Sequence, residues 1–236
     1  MKQFFDWLSG RQGADLDEQQ RARRDALPPA QAADRRPLRE QRLVVLDLET
    51  TGLNTQRDQV LSIGAVVIED GAIDLGCQYA STLQQDHKVS ESILIHGLAP
   101  STIAAGLQPC EALLDFMEFL GDSPVLGFHA PFDQRMLARA LKQSLGYTLR
   151  HHFIDLAELA PILCPQAQVG RGGLDDWISH FGLQVLQRHS ASADALVTAE
   201  LALILFSKAR QQGWDNLLEL ETQIASRRRR QRAYSL

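Results

Sequence analysis

The chain has 236 residues, 44% hydrophobic and 22% charged, a size and composition that suit one substantial domain with extensions. No apolar run approaches the roughly 18 residues of a membrane span, and three widely spaced cysteines (Cys77, Cys110 and Cys164, with no CxxC pair) argue against a disulfide framework or zinc knuckle and fit a reducing cytoplasm. The net charge of −5 is uneven: +2 over Met1–Arg42, −12 over Leu43–Ser226 and +5 over Arg227–Leu236. An acidic body is a poor partner for polyphosphate unless bound cations offset it.

Residues 1–40 read as a helical N-terminal extension and linker. Phe4, Phe5, Trp7 and Leu8 fall on one face of a short helix, which either docks a protein partner or packs on its own domain. Asp6 interrupts this apolar cluster and no small-residue cleavage site follows, so it is not a secretory signal. DLDEQQRARRDAL is polar and helix-compatible, and the stretch from Pro28 to Pro37 reads as a linker.

From Leu43 the pattern changes. LVVLDLET is a compact apolar run ending at Thr51-Gly52, as a buried strand does. Gln59–Glu69 is a second strand, and Asp70-Gly71 is a hairpin turn into a third around Ile73–Leu83. Glu111–Leu120 has helical spacing, Pro124–Phe128 reads as a short strand, and Phe132–Leu145 as a helix opened by Pro131. A short strand at His152–Leu156 follows, then a flexible Gly170–Gly173 loop in which Arg171 is a surface residue, and helices at Leu174–Phe181 and Ala193–Ala209. From Trp214 the chain begins as a helix and ends in an arginine run, the signature of a nucleic-acid contact or of a solvated tail. The expected fold is α/β, a mixed central sheet flanked by helices. It occupies residues 41–210 and is followed by a C-terminal helix and arginine-rich tail over 211–236.

The chemistry concentrates in carboxylates. Asp47 and Glu49 are two apart on a strand, so both project from one face, about 7 Å apart. Like charges beside an apolar strand are costly unless a cation or hydrogen-bond donors compensate them. Asp133 lies in a helix's first turn, where the macrodipole alone accounts for an acid. Asp194 sits near another helix start, with His189 on the loop before it: a base that titrates near neutrality beside a prospective metal ligand. Four carboxylates from three segments suit hard divalent cations such as Mg²⁺ or Mn²⁺, and a pair of such ions serves phosphoryl displacement. No G-x-S-x-G elbow, P-loop or G-x-G-x-x-G loop competes with this reading.

The D-x-E, FD and H-x4-D series, with TTGL after the first motif, resembles the DEDDh group of 3′–5′ exonucleases, which have a ribonuclease-H-like fold. The match covers about Leu43–Arg210, and LIHGLAP at 94–100 resembles the group's IHGI-type segment. The resemblance implies that Asp47, Glu49, Asp133 and Asp194 hold two Mg²⁺ or Mn²⁺ ions and that His189 is the general base. It places Thr50 and Leu53 near the 3′-terminal nucleotide, Leu53 wedging against its base, with His96 and Phe132 lining the same pocket. Many members carry an asparagine four residues before the second-motif aspartate. Here His129 stands in that dipeptide, next to Phe128, which bears on contacts to the penultimate nucleotide and on substrate preference. The implied reaction releases nucleoside 5′-monophosphates from single-stranded 3′ ends, DNA ahead of RNA, with no membrane partner. The competing expectation is an accessory proofreading or end-binding module tethered to a polymerase.

Overall fold

The computed structural model describes residues 16–85, 99–167, 169, 172–185 and 188–233. The N-terminal helix expected around Phe4–Leu8 therefore lies outside the described residues, as do Arg171 and all but the last two residues of the 94–100 segment. Among the described residues no helix is long and apolar enough to cross a membrane.

A five-stranded mixed sheet organises the molecule. Strands β1 (Leu43–Thr50), β2 (Val60–Glu69) and β3 (Ala72–Thr82) form an antiparallel meander, while β4 (Val125–Gly127) and β5 (Phe153–Asp155) extend it in parallel from β1. The order is β3-β2-β1-β4-β5. Asp70 and Gly71 turn β2 into β3 with positive φ values of 53° and 75°, which glycine adopts without strain and aspartate tolerates.

Helices cover both faces, as continuous burial of β1 and β2 requires. On one face α3 (Pro109–Leu120) and α4 (Ala130–Leu145) bury Leu113, Phe116, Met136 and Leu141 against Val44, Leu46, Ile63 and Val67. On the other, α5 (Leu156–Leu163), α6 (Leu174–Phe181), α7 (Ala191–Gln211) and α8 (Leu217–Ala233) pack Leu159, Trp177, Leu205 and Leu220 against Leu43, Val45, Val66 and Ile154. The period of two along β1 sends Leu43, Val45, Asp47 and Glu49 to the α7 side.

Two short helices escape the sequence reading. One is α2 (Pro100–Ala104), and the other, α5, carries Pro161 inside it, a residue that signals a break when read alone. The arginine run is helical, because α8 continues through it to Ala233, and its arginines from Arg228 onward are exposed.

The N-terminal side closes onto the sheet-flanking helices. α1 (Glu18–Asp25) starts in a capping box between Asp17 and Gln20. Arg23 reaches Glu111, Asp115 and Glu118 of α3 at 2.8, 2.6 and 2.8 Å.

Candidate active site

The parallel strands β1, β4 and β5 end on one side of the sheet, where β4 and β5 lead into α4 and α5 and β1 turns back into β2. That is where α/β sheets open a crevice for ligands. Asp47 and Glu49 lie at the end of β1, beside a register shift between Glu49 and Thr50. β4 ends at Gly127, and the chain then turns through Phe128 and His129 into α4, whose first turn carries Asp133. α7 delivers Asp194 in its own first turn.

The approach of α7 depends on a glycine. Gly64 pairs with Asp47 across β1 and β2. A Cβ at Gly64 would lie 2.1 Å from the Ala191 carbonyl carbon and 2.3 Å from Ser192 N. Only a bare backbone lets the start of α7 rest on β2, one turn before Asp194. With α7 seated there, carboxylate oxygens of Asp47, Glu49 and Asp194 lie within 4.8 Å of one another. Asp133 lies outside that group but near enough for its charge to act on Asp47, and its carboxylate accepts from its own N–H and that of Leu48.

The electrostatics follow from that crowding. Burial pushes the Glu49 carboxyl up to about 7, with the Asp194 charge adding and Arg188 opposing. Burial raises Asp133 to about 8, with Asp155 and Glu49 contributing and the two backbone donors opposing. Asp47 is also raised well above the carboxylate range, by burial and then by the charges of Asp133, Glu49 and Asp194. Such a cluster favours either protons or a cation. A guanidinium supplies part of that charge: Arg188 pairs with Asp194 and, at 2.5 Å, with Asp175 of α6. The donors are oxygens only, which matches hard divalent cations and not thiophilic ones.

The RNase T family, described as Exonuclease, matches residues 44–202, a span that contains all four carboxylates and His189. The chain belongs to this family, the DnaQ-like 3′–5′ exonucleases. Similar proteins include the PolC-type DNA polymerase III of Thermotoga petrophila, 32% identical over 179 residues, or 75% of this chain and 13% of that protein. The PolC-type enzyme of Bacillus subtilis is 28% identical over 192 residues, 80% of this chain and 13% of its length. This exonuclease thus spans about an eighth of those relatives. E. coli Exonuclease I in complex with a dT13 oligonucleotide shares the fold, with a TM-score of 0.62 and 16% identity. That match covers 73% of this chain and 42% of the other. The ribonuclease-H-like architecture expected from the resemblance is the one this exonuclease adopts.

Around the carboxylates the remaining candidates are scattered. His189 is exposed on the loop before α7 with φ at 62°, and its N–H donates to Asp194 Oδ2 at 3.2 Å. Thr50 is buried and donates its hydroxyl to the Gly52 carbonyl at 2.8 Å, shaping the turn after β1. That turn presents Leu53, 86% exposed although large and apolar. Phe132 is half-buried and packed against the α3–α4 core cluster. His129 is exposed with φ at 61°, and its N–H donates to Asp155 Oδ1 at 2.9 Å. His96 lies outside the described residues.

Three contributors escape a sequence reading. Arg188 adjoins His189, but one arginine beside a motif carries no periodic signal. Asp155 braces the His129 turn and caps α5 through Ala157 N at 3.0 Å, a role shared between segments distant in sequence. Gly64 was more readable, because a glycine inside an apolar strand marks a close backbone approach.

Proposed function

We propose that this exonuclease removes nucleotides from the 3′ end of single-stranded nucleic acid, DNA in preference to RNA, and releases nucleoside 5′-monophosphates. The convergence of Asp47, Glu49 and Asp194 oxygens within 4.8 Å carries the reading, since it gathers more negative charge than a purely structural site tolerates. Asp47, Glu49, Asp133 and Asp194 would hold two divalent cations, Mg²⁺ or Mn²⁺. Such ions, when bound, supply the Lewis acidity that offsets phosphodiester charge and favours ionisation of water.

The chain's own residues do the rest. An imidazole nitrogen of His189 accepts the proton of the attacking water. The exposure of the loop and the bond from the His189 backbone N–H to Asp194 support that role, since they keep this residue beside a carboxylate and open to solvent. Leu53 presents an apolar surface to the terminal base, and Thr50 fixes the turn that carries it. His129 stands where contacts to the penultimate nucleotide would be made, and Phe132 would line the pocket of the 3′-terminal nucleotide. The preference for DNA draws support from relatives named as DNA polymerases and from Exonuclease I with its bound oligonucleotide.

The domain division proposed with this reading is 1–40 as extension, 41–210 as exonuclease domain and 211–236 as C-terminal helix with its arginines. Three free cysteines suit a cytoplasmic setting. A second reading, proofreading beside a polymerase with residues 1–40 as tether, is favoured by the PolC-type relatives. Partner recovery unchanged on removing residues 1–40 counts against that tether.

The test is release of label from matched DNA and RNA oligomers carrying it at the 3′ end, with Mg²⁺, Mn²⁺ or EDTA. Metal-dependent release of a 5′-mononucleotide, faster from DNA, is expected. Release starting from the 5′ end, or undiminished in EDTA, overturns the proposal.

A further inference from the structure

The mechanism above makes no use of the arginine run, yet α8 aims it. Glu221 pairs with His152, the residue before β5, and seven residues later Arg228 Nε meets Glu158 Oε2, just past the end of β5, at 2.7 Å. Those two contacts fix α8 parallel to β5. Its arginine end therefore arrives at the edge of the sheet where the carboxylates gather.

The connection to the site is short. Asp155 feels the charge of Arg228 and accepts the N–H of His129, on the turn that launches Asp133. Beyond the Glu158 anchor Arg229, Arg230 and Arg232 are exposed. Arg232 stands one turn beyond Arg228 on the same helix face, about 6 Å further along. The macrodipole favours Arg230 and Arg232 in the last turn, but like charges three and four apart oppose that gain, so a run of this density is not explained by helix stability. Over Leu43–Ser226 the net charge is −12, which leaves the helix end as the concentrated positive surface next to the site.

We infer that the arginine end of α8 binds the phosphate backbone of the single strand upstream of its 3′-terminal nucleotide, holding the strand while its end lies at the carboxylate cluster. This rests on the exonuclease reading, and it adds a sequence-independent backbone site outside the catalytic motifs.

The decisive variant in the full chain is Arg229→Gln/Arg230→Gln/Arg232→Gln, which keeps the Arg228–Glu158 anchor. The charge-matched control is Arg21→Gln/Arg35→Gln/Arg39→Gln, all exposed and away from the site. Binding of a thymidine 20-mer with phosphorothioate 3′ linkages is followed by fluorescence anisotropy with Mg²⁺ across a salt series. The variant should bind about tenfold more weakly near 0.1 M salt. Its slope of log K against log salt should be shallower by about 2, from three contacts at about 0.7 each. The corresponding triple lysine variant should restore both values, and the control should match wild type. Hydrolysis of a dinucleotide without a 5′ phosphate, which has no backbone phosphate upstream of the scissile one, should stay at the wild-type rate. Equal affinity and salt slope in the glutamine variant and wild type overturn the inference, as does loss of a protein partner with oligomer binding intact. Wild type that binds the 20-mer but hydrolyses neither its unmodified counterpart nor the dinucleotide with Mg²⁺ refutes the exonuclease reading instead.

Discussion

Replacing Gly64 with alanine tests whether the seating of α7 on β2 assembles the site. The new Cβ would lie 2.1 Å from the Ala191 carbonyl carbon, whereas ordinary contact begins at 3.4 Å. The backbones must part by about 0.9 Å to reach the 3.0 Å below which such contacts essentially never fall, and by about 1.3 Å for an ordinary contact, because the atoms met belong to main chain and cannot rotate aside. Asp194 rides three residues further along the same helix and moves with it, away from Asp47 and Glu49. Overpacking of this kind costs about 1–3 kcal/mol, a loss the molecule should survive folded. A displacement near 1 Å costs about 10²-fold in rate. The assay is single-turnover release of the 3′-terminal nucleotide at saturating Mg²⁺, with urea denaturation of the same sample. A folded variant that retains a rate within about threefold of wild type refutes the reasoning.

Substituting His189 with glutamine should lower turnover by about 10²–10⁴-fold while Mn²⁺ binding, followed by electron paramagnetic resonance, persists; near-normal turnover removes the histidine from the proton transfer. Arg188→Met strips Asp194 of its guanidinium and should destabilise the protein by about 1–3 kcal/mol in EDTA, with much of the loss recovered in Mg²⁺. Equal losses under both conditions would show that Arg188 does not stand in for a cation. The metal-free protein should also lose stability as pH rises from about 4.5 to 8. Glu49 and Asp133 keep their protons to about 7 and 8 when folded and release them near 4.5 and 3.8 when unfolded, so the native state binds more protons across that window. A melting temperature in EDTA that climbs from pH 6 to pH 8 would contradict this, whereas added Mg²⁺ should stabilise more at the higher pH.

The strands and the long helices were legible because their signals are local. The alternation that puts Asp47 and Glu49 on one face can be read from eight residues, and Asp70-Gly71 announces its hairpin. The α5 helix was not legible, since Pro161 suggests a break while burial of Leu156, Leu159 and Leu163 holds the helix together. The arginine run illustrates the same limit: like charges suggest a solvated tail, but the anchors at His152 and Glu158 lie 69 and 70 positions back in the chain. Motif spacing identified the carboxylates as a set. Their distances depend on Gly64 meeting Ala191, a contact between segments that no local pattern pairs.

The most direct measurement is Mn²⁺ binding and 3′-nucleotide release followed in the same samples of wild type, Asp47→Asn and Asp194→Asn. The account predicts that wild type binds Mn²⁺ and cleaves, and that each variant loses binding and cleavage together. Full cleavage by a variant that no longer binds Mn²⁺, or tight Mn²⁺ binding unaffected by either substitution, would contradict it.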